Sequence, residues 1–389
     1  MKFWVRKSVL MLLICILLLG VVGCASSTGD NQSGTSNSSI SDAQNSQGDD
    51  ASQEMVTVVD DRGIEVTFPK DPQRIVITSI TPLPSVYCLY RGGIDNLVGI
   101  SASSMSAAEN SYLATLYPEI VNLETGFSDG GEINIEEVLK LEPDVVFYRA
   151  NDEAEGDMYA QAGIPAVAFS TRNHGNDAIA TFAGWIELLD QIFGDGEKTQ
   201  GIVEYGNEIV AMIEERTAGL TEDEKPTAVI LAGYSGNQLT VSGGDIWGGY
   251  YIGMAGGTNV AEDISETKAV NMEQMLMWNP EVIYITNFVP YLPEDFYNNA
   301  IEGYDWSDIN AVKNGRVYKY PLGTYRWYPP AGDTPLSLVW TAKQMHPDLF
   351  ADIDMDQMVK DYYKEFYDVE LTDEALQEIY NPPREAALG

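Results

Sequence analysis

One pattern occurs twice in the chain, first as Ile133-Asn-Ile-Glu-Glu-Val-Leu-Lys-Leu-Glu-Pro-Asp-Val-Val-Phe-Tyr148 and again as Val270-Asn-Met-Glu-Gln-Met-Leu-Met-Trp-Asn-Pro-Glu-Val-Ile-Tyr-Ile285. The two segments align without gaps, and Asn, Glu, Leu, Pro and Val recur at identical offsets. Each copy predicts a helix with Asn134 or Asn271 as its N-cap, then a proline turn and a buried strand. Chance similarity is the alternative explanation. A true repeat predicts two related halves.

Short Val- and Ile-rich segments surround both copies and predict further strands. They lie at residues 74–79, 96–101 and 165–170 before the midpoint, and at residues 227–234 and 316–320 after it. Helical patterns separate these segments, which is typical of mainly parallel sheets flanked by helices. The predicted fold class is therefore α/β, with one such sheet in each half of the chain.

Apolar residues at helical spacing connect the two halves. The first stripe comprises Ile179, Phe182, Ile186, Leu189 and Phe193, and the second comprises Ile202, Tyr205, Ile209, Met212 and Ile213. A helix of about 20 residues would span about 30 Å, which is enough to join two lobes rigidly. We predict an N-terminal lobe at residues 55–194, a connecting helix at residues 195–225 and a C-terminal lobe at residues 226–389.

The N-terminal residues 1–23 have the composition of a secretory signal peptide. Basic residues precede an apolar run at residues 8–19, and Gly20-Val-Val-Gly-Cys24 follows. The run is too short for a stable membrane span, and a cysteine after small residues is typical of a lipobox. We predict that Cys24 is acylated and anchors the protein to the extracytoplasmic face of the cell membrane. An uncleaved anchor would leave the protein in the same place. Residues 24–54, rich in Ser, Gly and Asn, predict a disordered tether.

Charge and residue counts restrict the partners and cofactors. The 59 acidic and 22 basic side chains give a formal net charge of −37, which argues against nucleic acid or anionic lipid as a partner. Cys88 has no disulfide partner once Cys15 leaves with the signal and Cys24 carries the lipid, and its apolar neighbours predict a buried position. Because the chain has 2 histidines and no cysteine pair, we predict no metal site and no cofactor.

Several motifs, taken in their order, resemble one protein family. They are the opening Val58-Val-Asp-Asp-Arg-Gly-Ile-Glu-Val-Thr-Phe-Pro-Lys-Asp-Pro-Gln-Arg-Ile-Val76, both repeat copies, Gly256-Gly-Thr-Asn-Val260, and Asp333-Thr-Pro-Leu-Ser-Leu-Val-Trp-Thr-Ala-Lys-Gln-Met-His-Pro347. The chain resembles the solute-binding proteins of ABC importers for iron-siderophores, haem and cobalamin. The resemblance implies two α/β lobes joined by one long rigid helix, a small-molecule ligand in the cleft between them, and an ABC permease dimer as the protein partner.

Residues that follow the predicted strands of the N-terminal lobe are candidates for ligand binding. Tyr148 and Arg149 end the repeat strand, and Arg172 and His174 follow the next strand. The resemblance implies an aromatic residue and a cation at such positions, and guanidinium groups bind carboxylate, catecholate or oxyanion oxygens through paired donors. Two alternatives stay open. Each arginine would instead pair with an acidic side chain, and His174 would form hydrogen bonds rather than ligate a metal centre.

The C-terminal lobe offers a second set of candidates. Tyr234 follows its first predicted strand, Trp247 lies after a glycine-rich turn, and Tyr325, Arg326 and Trp327 lie together on a proline-rich loop. Aromatic side chains on a loop stack on a macrocycle or an aryl chelator, whereas the alternative is packing between the lobes. The glycine-rich turn does not fit a nucleotide fingerprint.

Two glutamates occupy the same position in the two repeat copies, Glu136 in the first and Glu273 in the second. The resemblance implies that they dock into arginine pockets of the paired permease subunits. The alternative is local, because carboxylates also stabilise the first turn of a helix.

No catalytic residues are predicted, because the Gly-x-Ser-x-Gly and His-Glu-x-x-His motifs and paired cysteines are missing from the sequence. We therefore expect a binding protein rather than an enzyme. An iron chelate such as a siderophore or haem, or a cobalamin-type ligand, is the expected cargo. A molybdate- or tungstate-type oxyanion is the alternative, because it would use the same arginines.

Overall fold

The computed structural model describes residues 54–388, which lie within one compact unit. The predictions for the signal peptide at residues 1–23, for Cys24 and for the tether up to residue 53 therefore concern residues outside the described part of the chain. Within residues 54–388, no helix combines the length and the hydropathy that a membrane span requires.

The N-terminal lobe contains a four-stranded parallel sheet. Its strands are β1 (Met55–Val59), β2 (Glu65–Pro69), β3 (Ile75–Ile77), β4 (Leu97–Ile100), β5 (Ser128–Asp129), β6 (Glu132–Ile133), β7 (Val145–Arg149) and β8 (Ala166–Phe169). The order β4-β3-β7-β8 forms the parallel sheet, while β1–β2 and β5–β6 are separate antiparallel pairs. Its helices are α1 (Leu83–Arg91), α2 (Ala102–Glu109), α3 (Leu113–Leu116), α4 (Ile135–Lys140), α5 (Glu153–Ala162) and α6 (Ala178–Phe193).

A long helix, α7 (Gly196–Thr217), leads into the C-terminal lobe. The strands that follow are β9 (Thr227–Ser235), β10 (Gln238–Ser242), β11 (Thr258–Asn259), β12 (Thr267–Ala269), β13 (Val282–Ile285) and β14 (Val317–Lys319). The helices are α8 (Trp247–Met254), α9 (Met272–Trp278), α10 (Pro293–Tyr297), α11 (Asn310–Lys313), α12 (Thr334–Met345), α13 (Met355–Tyr367) and α14 (Asp373–Tyr380). Short 3-10 turns lie at Pro118–Asn122, Glu222–Glu224 and Arg384–Leu388.

The second sheet has six strands and mixed direction. Strands β11, β9, β13 and β14 are parallel, whereas β10 pairs antiparallel with β9 and β12. The β9–β10 hairpin turns at residues 236–237, where both Gly236 and Asn237 have positive φ. Such a two-residue turn is typical of a hairpin. The α/β prediction is therefore confirmed, and the antiparallel edge is an addition that the strand pattern did not predict.

Both repeat copies form the predicted helix, turn and strand. The side chain of Asn134 accepts a hydrogen bond from the Glu136 amide at 3.0 Å, and that of Asn271 accepts one from the Gln274 amide at 2.9 Å. These N-caps begin α4 and α9, and the buried strands β7 and β13 follow. Because β7 and β13 each pair in parallel with the strands on both sides, the repeat places one equivalent unit in each lobe.

Helix α7 is a single segment of 22 residues, or about 33 Å. It ends at Thr217, so the residues up to 225 that we assigned to the connector form a turn instead. One apolar cluster includes Phe182 of α6, Ile209 and Ile213 of α7, and Leu338 of α12. Because this cluster continues from the N-terminal sheet to the C-terminal helices, the two lobes share one packed core, which resists bending.

Candidate functional site

A cavity of about 380 Å³ lies between the lobes. Its lining comprises Ser79, Ile80, Thr81, Pro82, Ser103, Arg149, Asn151, Thr171, Arg172 and Asn176 from the N-terminal lobe, and Asp245, Ile246, Trp247, Glu266, Phe288, Tyr325, Arg326 and Pro329 from the C-terminal lobe. Three guanidinium groups, two carboxylates, three aromatic rings and several hydroxyls and amides therefore face one space. Such a mixture of polar donors and aromatic walls is typical of a small-molecule site.

Arg149 reaches the cavity from the carboxyl end of β7. Its backbone amide donates to the Ser79 hydroxyl at 3.0 Å, which fixes the end of the strand. The side chain is exposed, and no other described residue forms a hydrogen bond or ion pair with its guanidinium. Because a guanidinium offers five donors, Arg149 presents unused donors to whatever enters the cavity.

Tyr148, which we expected beside Arg149 in the cleft, does not line the cavity. Successive side chains of a strand point to opposite faces, and Tyr148 lies in the apolar cluster on the other face of the sheet, where it is 2 % exposed. Its hydroxyl accepts a hydrogen bond from Arg62 at 2.9 Å, and its ring packs against Tyr159. Burial raises the pKa of Tyr148 above its ordinary value.

Arg326 reaches the cavity from the opposite lobe and is 4 % exposed. Its guanidinium carbon lies 4.3 Å from the centre of the Phe288 ring, and its Nη2 donates to the Ala386 carbonyl at 3.0 Å. Nη1 donates to the Tyr325 hydroxyl at 3.4 Å. These contacts restrict the side chain to one orientation, so the guanidinium is organised before a ligand arrives.

Asp333 holds the loop that carries Tyr325 and Arg326. Its Oδ2 accepts hydrogen bonds from the Thr324 amide at 2.6 Å and from the Thr324 hydroxyl at 2.9 Å. The carboxyl is buried, and this desolvation raises its pKa to about 6 although the Thr324 bonds lower it. The loop is therefore anchored by a buried acid at the start of α12.

Arg172 and Trp247 also line the cavity, as we expected. The third guanidinium, however, already has a partner: Arg172 Nη2 lies 2.9 Å from one Glu266 oxygen and 3.2 Å from the other. The alternative of pairing with an acidic residue therefore holds for Arg172 in this structure. Arg149 forms no such pair among the described residues.

Three further candidates lie outside the cavity lining. His174 is exposed and its imidazole lies against Gly184 of α6. Tyr234 packs edge-on against Tyr291, and Trp327 is 1 % exposed inside the core. His174 and Trp327 lie close in sequence to residues that line the cavity, but the side chain of His174 contacts a neighbouring helix and that of Trp327 lies in the core.

The structure adds residues that sequence reasoning missed. Ser79 and Ser103 follow β3 and β4, and Asn151 follows β7, so the rule that strand ends face the cleft would have found them. Phe288 and Glu266 carry no comparable sequence signal. Among the described residues, no group of three or more His, Cys, Asp or Glu side chains forms a metal site. Cys88 is buried, and burial raises the pKa of its thiol.

Glu136 and Glu273 both lie exposed in the first turn of their helices. One turn further on, Leu139 and Leu276 are 45 % and 47 % exposed. These leucines also occupy equivalent positions in the two repeat copies. Each lobe therefore presents the same combination of one carboxylate and one uncovered leucine.

Comparisons with known proteins place this geometry in a family. The family model described as periplasmic binding protein matches residues 75–322. The molybdate-binding protein MolA of Haemophilus influenzae is 29% identical over 80% of this chain and 90% of its own length. The Fe(3+)-citrate-binding protein YfmC of Bacillus subtilis is 24% identical over 81% of this chain and 88% of its own length.

Solved structures agree with the sequence comparisons. A periplasmic solute-binding protein from Veillonella parvula has a TM-score of 0.77 and 32% identity, with 84% of this chain and 97% of that chain covered. Molybdate-bound MolA has a TM-score of 0.68 and 24% identity, with 81% of this chain and 99% of that chain covered. The latter likeness concerns the fold.

Proposed function

This chain belongs to the periplasmic binding protein family, and we propose that its cavity captures a small anionic ligand that presents oxygen acceptors. As a solute-binding protein, and not an enzyme, it delivers a small ligand to the permease of an ABC importer. The ligand class and the lipid anchor at Cys24, on the extracytoplasmic face of the membrane, are part of the proposal.

The meeting of Arg149 and Arg326 in one cavity, from opposite lobes, carries this proposal. A formal net charge of −37 repels anions over long range, so only local cations would hold one. The Arg149 guanidinium offers paired donors that match the geometry of oxyanions and carboxylates, and Arg326 adds a second positive charge at the same cavity. Hydroxyls of Ser79, Thr81 and Ser103 supply further donors to the same space.

A molybdate-class oxyanion is our first candidate, which changes the order of the two cargoes expected from the sequence. A volume of about 380 Å³ lies near the lower end of ligand sites, which span roughly 300–1,000 Å³. This favours a compact anion over a macrocycle such as haem or cobalamin. The molybdate-binding relative supports the same order. An anionic ferric chelate is the second candidate, because Trp247 and Tyr325 line the cavity and offer rings for stacking.

Calorimetric titration with sodium molybdate, sodium tungstate, ferric citrate and a ferric hydroxamate tests the ligand class. Losing one charged hydrogen-bond partner costs about 1.5–3 kcal/mol, so Arg149→Ala and Arg326→Ala should each weaken binding about 10- to 100-fold. Arg62→Ala is the matched control, because its guanidinium contacts Tyr148 outside the cavity. Wild-type affinity in both cavity variants would refute the assignment.

We propose in addition that Glu136 and Glu273 dock the two lobes onto the paired subunits of the permease. A twofold partner requires equivalent contacts on the two lobes, and the repeat supplies a carboxylate on each. The uncovered leucines at positions 139 and 276 support this proposal, because they would add an apolar contact beside each charge.

A further inference from the structure

One carboxylate of the cavity lining occupies a position that an anionic ligand would also seek. Glu266, which precedes β12 in the C-terminal lobe, pairs with Arg172, which follows β8 in the N-terminal lobe. Both side chains line the cavity and are 56% and 62% exposed, respectively. The ion pair therefore crosses from one lobe to the other inside the space that holds the ligand.

The backbone around Glu266 is arranged to present this carboxylate. Its φ is +58°, a left-handed conformation that is strained for residues other than glycine. Its amide donates to the Asp245 carboxylate at 2.5 Å, and its carbonyl accepts from the Gly243 amide at 2.8 Å. A side chain at Gly243 would overlap the Ile264 carbonyl, so the close approach requires glycine there. The left-handed backbone, the hydrogen bond to Asp245 and the close approach of Gly243 together fix the position of the Glu266 side chain.

We propose that Glu266 is an internal competitor of the anionic ligand, which occupies Arg172 until ligand oxygens replace it. The inference deepens the proposed function and rests on it. Glu266 thereby sets the affinity and the selectivity of the cavity. An anion gains a contact with Arg172 only when it binds this guanidinium more strongly than the Glu266 carboxylate does. Neutral solutes and weak acceptors leave the pair intact.

The ion pair between Arg172 and Glu266 is weak enough for a ligand to replace it. Exposed ion pairs contribute about 0.2–1 kcal/mol, so a ligand that brings its own oxygens loses little by displacing Glu266. Removing the competitor should therefore tighten anion binding by a corresponding factor of about 1.4 to 5. If Glu266 instead stabilised the contact between the lobes that binding requires, its replacement would weaken anion binding.

The test compares Glu266→Gln with Glu262→Gln by titration with sodium molybdate, and with ferric citrate if molybdate does not bind. Glutamine keeps the length of the side chain and removes its charge. Glu262 is an exposed acid in the same segment that lies outside the cavity lining, so its variant controls for net charge. We expect Glu266→Gln to bind the probe about 1.4- to 5-fold more tightly, with Glu262→Gln unchanged.

A second comparison introduces Glu266→Gln into the Arg172→Ala variant. In that background Glu266→Gln should give no further gain, because the competition requires the guanidinium. Weaker or unchanged binding by Glu266→Gln, an equal gain in Glu262→Gln, or a gain that persists without Arg172 would each overturn the inference. If Arg149→Ala weakens binding in the same experiments, the proposed function stands even when the competition fails. If wild type binds neither probe, both fail.

Discussion

Replacing Asp333 by asparagine should change how the stability of the protein depends on pH. The carboxyl is buried, and desolvation raises its pKa from 3.8 to about 6. Asparagine has a similar shape and keeps an oxygen that accepts from the Thr324 amide and hydroxyl, which Asp333 binds at 2.6 and 2.9 Å. The substitution therefore removes the titration while it retains the anchor of the loop that carries Arg326.

The direction of the change in the free energy of unfolding follows from the number of protons that the native and unfolded states bind. Between pH 4 and pH 6 the native state binds more protons at Asp333 than the unfolded state does, so the free energy of unfolding falls as pH rises through this window. A difference of about two pKa units corresponds to about 3 kcal/mol over the whole range. From pH 4.5 to pH 7.5 the wild type should lose about 2 kcal/mol relative to Asp333→Asn.

Urea unfolding followed by tryptophan fluorescence at these two pH values measures the difference. Asp352→Asn is the control, because Arg216 lowers the pKa of that exposed carboxyl to about 2. Its contribution to stability is lost only as pH falls below about 4, so this variant should show almost no change between pH 4.5 and pH 7.5. A free-energy difference between wild type and Asp333→Asn that is the same at pH 4.5 and pH 7.5 would show that Asp333 does not titrate as the structure indicates.

Other consequences are open to direct measurement. The intact mass of membrane-extracted protein should show a diacylglyceryl adduct on Cys24, whereas an unmodified soluble product that begins elsewhere would contradict the anchor. The double variant Glu136→Ala/Glu273→Ala should keep its ligand affinity, with a stability change of about 0.3–1 kcal/mol per site, and should lose uptake and stimulated ATP hydrolysis in vesicles that hold the cognate importer. Undiminished transport would refute docking. Gly323→Ala should lower the free energy of unfolding by about 1–3 kcal/mol in thermal or urea melts, because the added carbon would overlap the Asp333 carboxylate; an unchanged melt would contradict this packing.

The repeat could be predicted from the sequence because its determinants are local. An N-cap asparagine, apolar residues at helical spacing and a proline before a Val- or Ile-rich run lie within one short segment, and each acts on its own neighbours. The structure accordingly contains α4 with β7 and α9 with β13. Strand β12 was missed because its partner β10 is distant in sequence. Strand β10 was missed although β9 directly precedes it, because the strand pattern did not identify Gly236-Asn237 as a hairpin turn.

Some of the residues that line the cavity could be predicted from the sequence, and the misplacement of Tyr148 has a clear physical cause. Arg149, Arg172, Trp247 and Arg326 reach the cavity, whereas Tyr148, one residue from Arg149, points to the other face of β7. A sequence places a residue at a strand end without fixing which of two faces its side chain takes there. The register of β7 against its neighbours decides that question, and it is set by the packed sheet.

The orientation of Arg326 depends on Lys319, a buried residue that does not line the cavity. Lys319 is 8 % exposed, and its ammonium donates to the carbonyls of Thr286, Val289 and Tyr291 at 2.9, 2.5 and 3.3 Å. Burial lowers the pKa of Lys319 to about 7. Its three N–H donors nevertheless each have a backbone carbonyl as acceptor. These bonds hold the loop that bears Phe288, the ring on which the Arg326 guanidinium lies. If the cavity binds an anion as we propose, its affinity depends on residues behind the site as well as on those within it, because a rigid two-lobed protein binds with groups that are already in place.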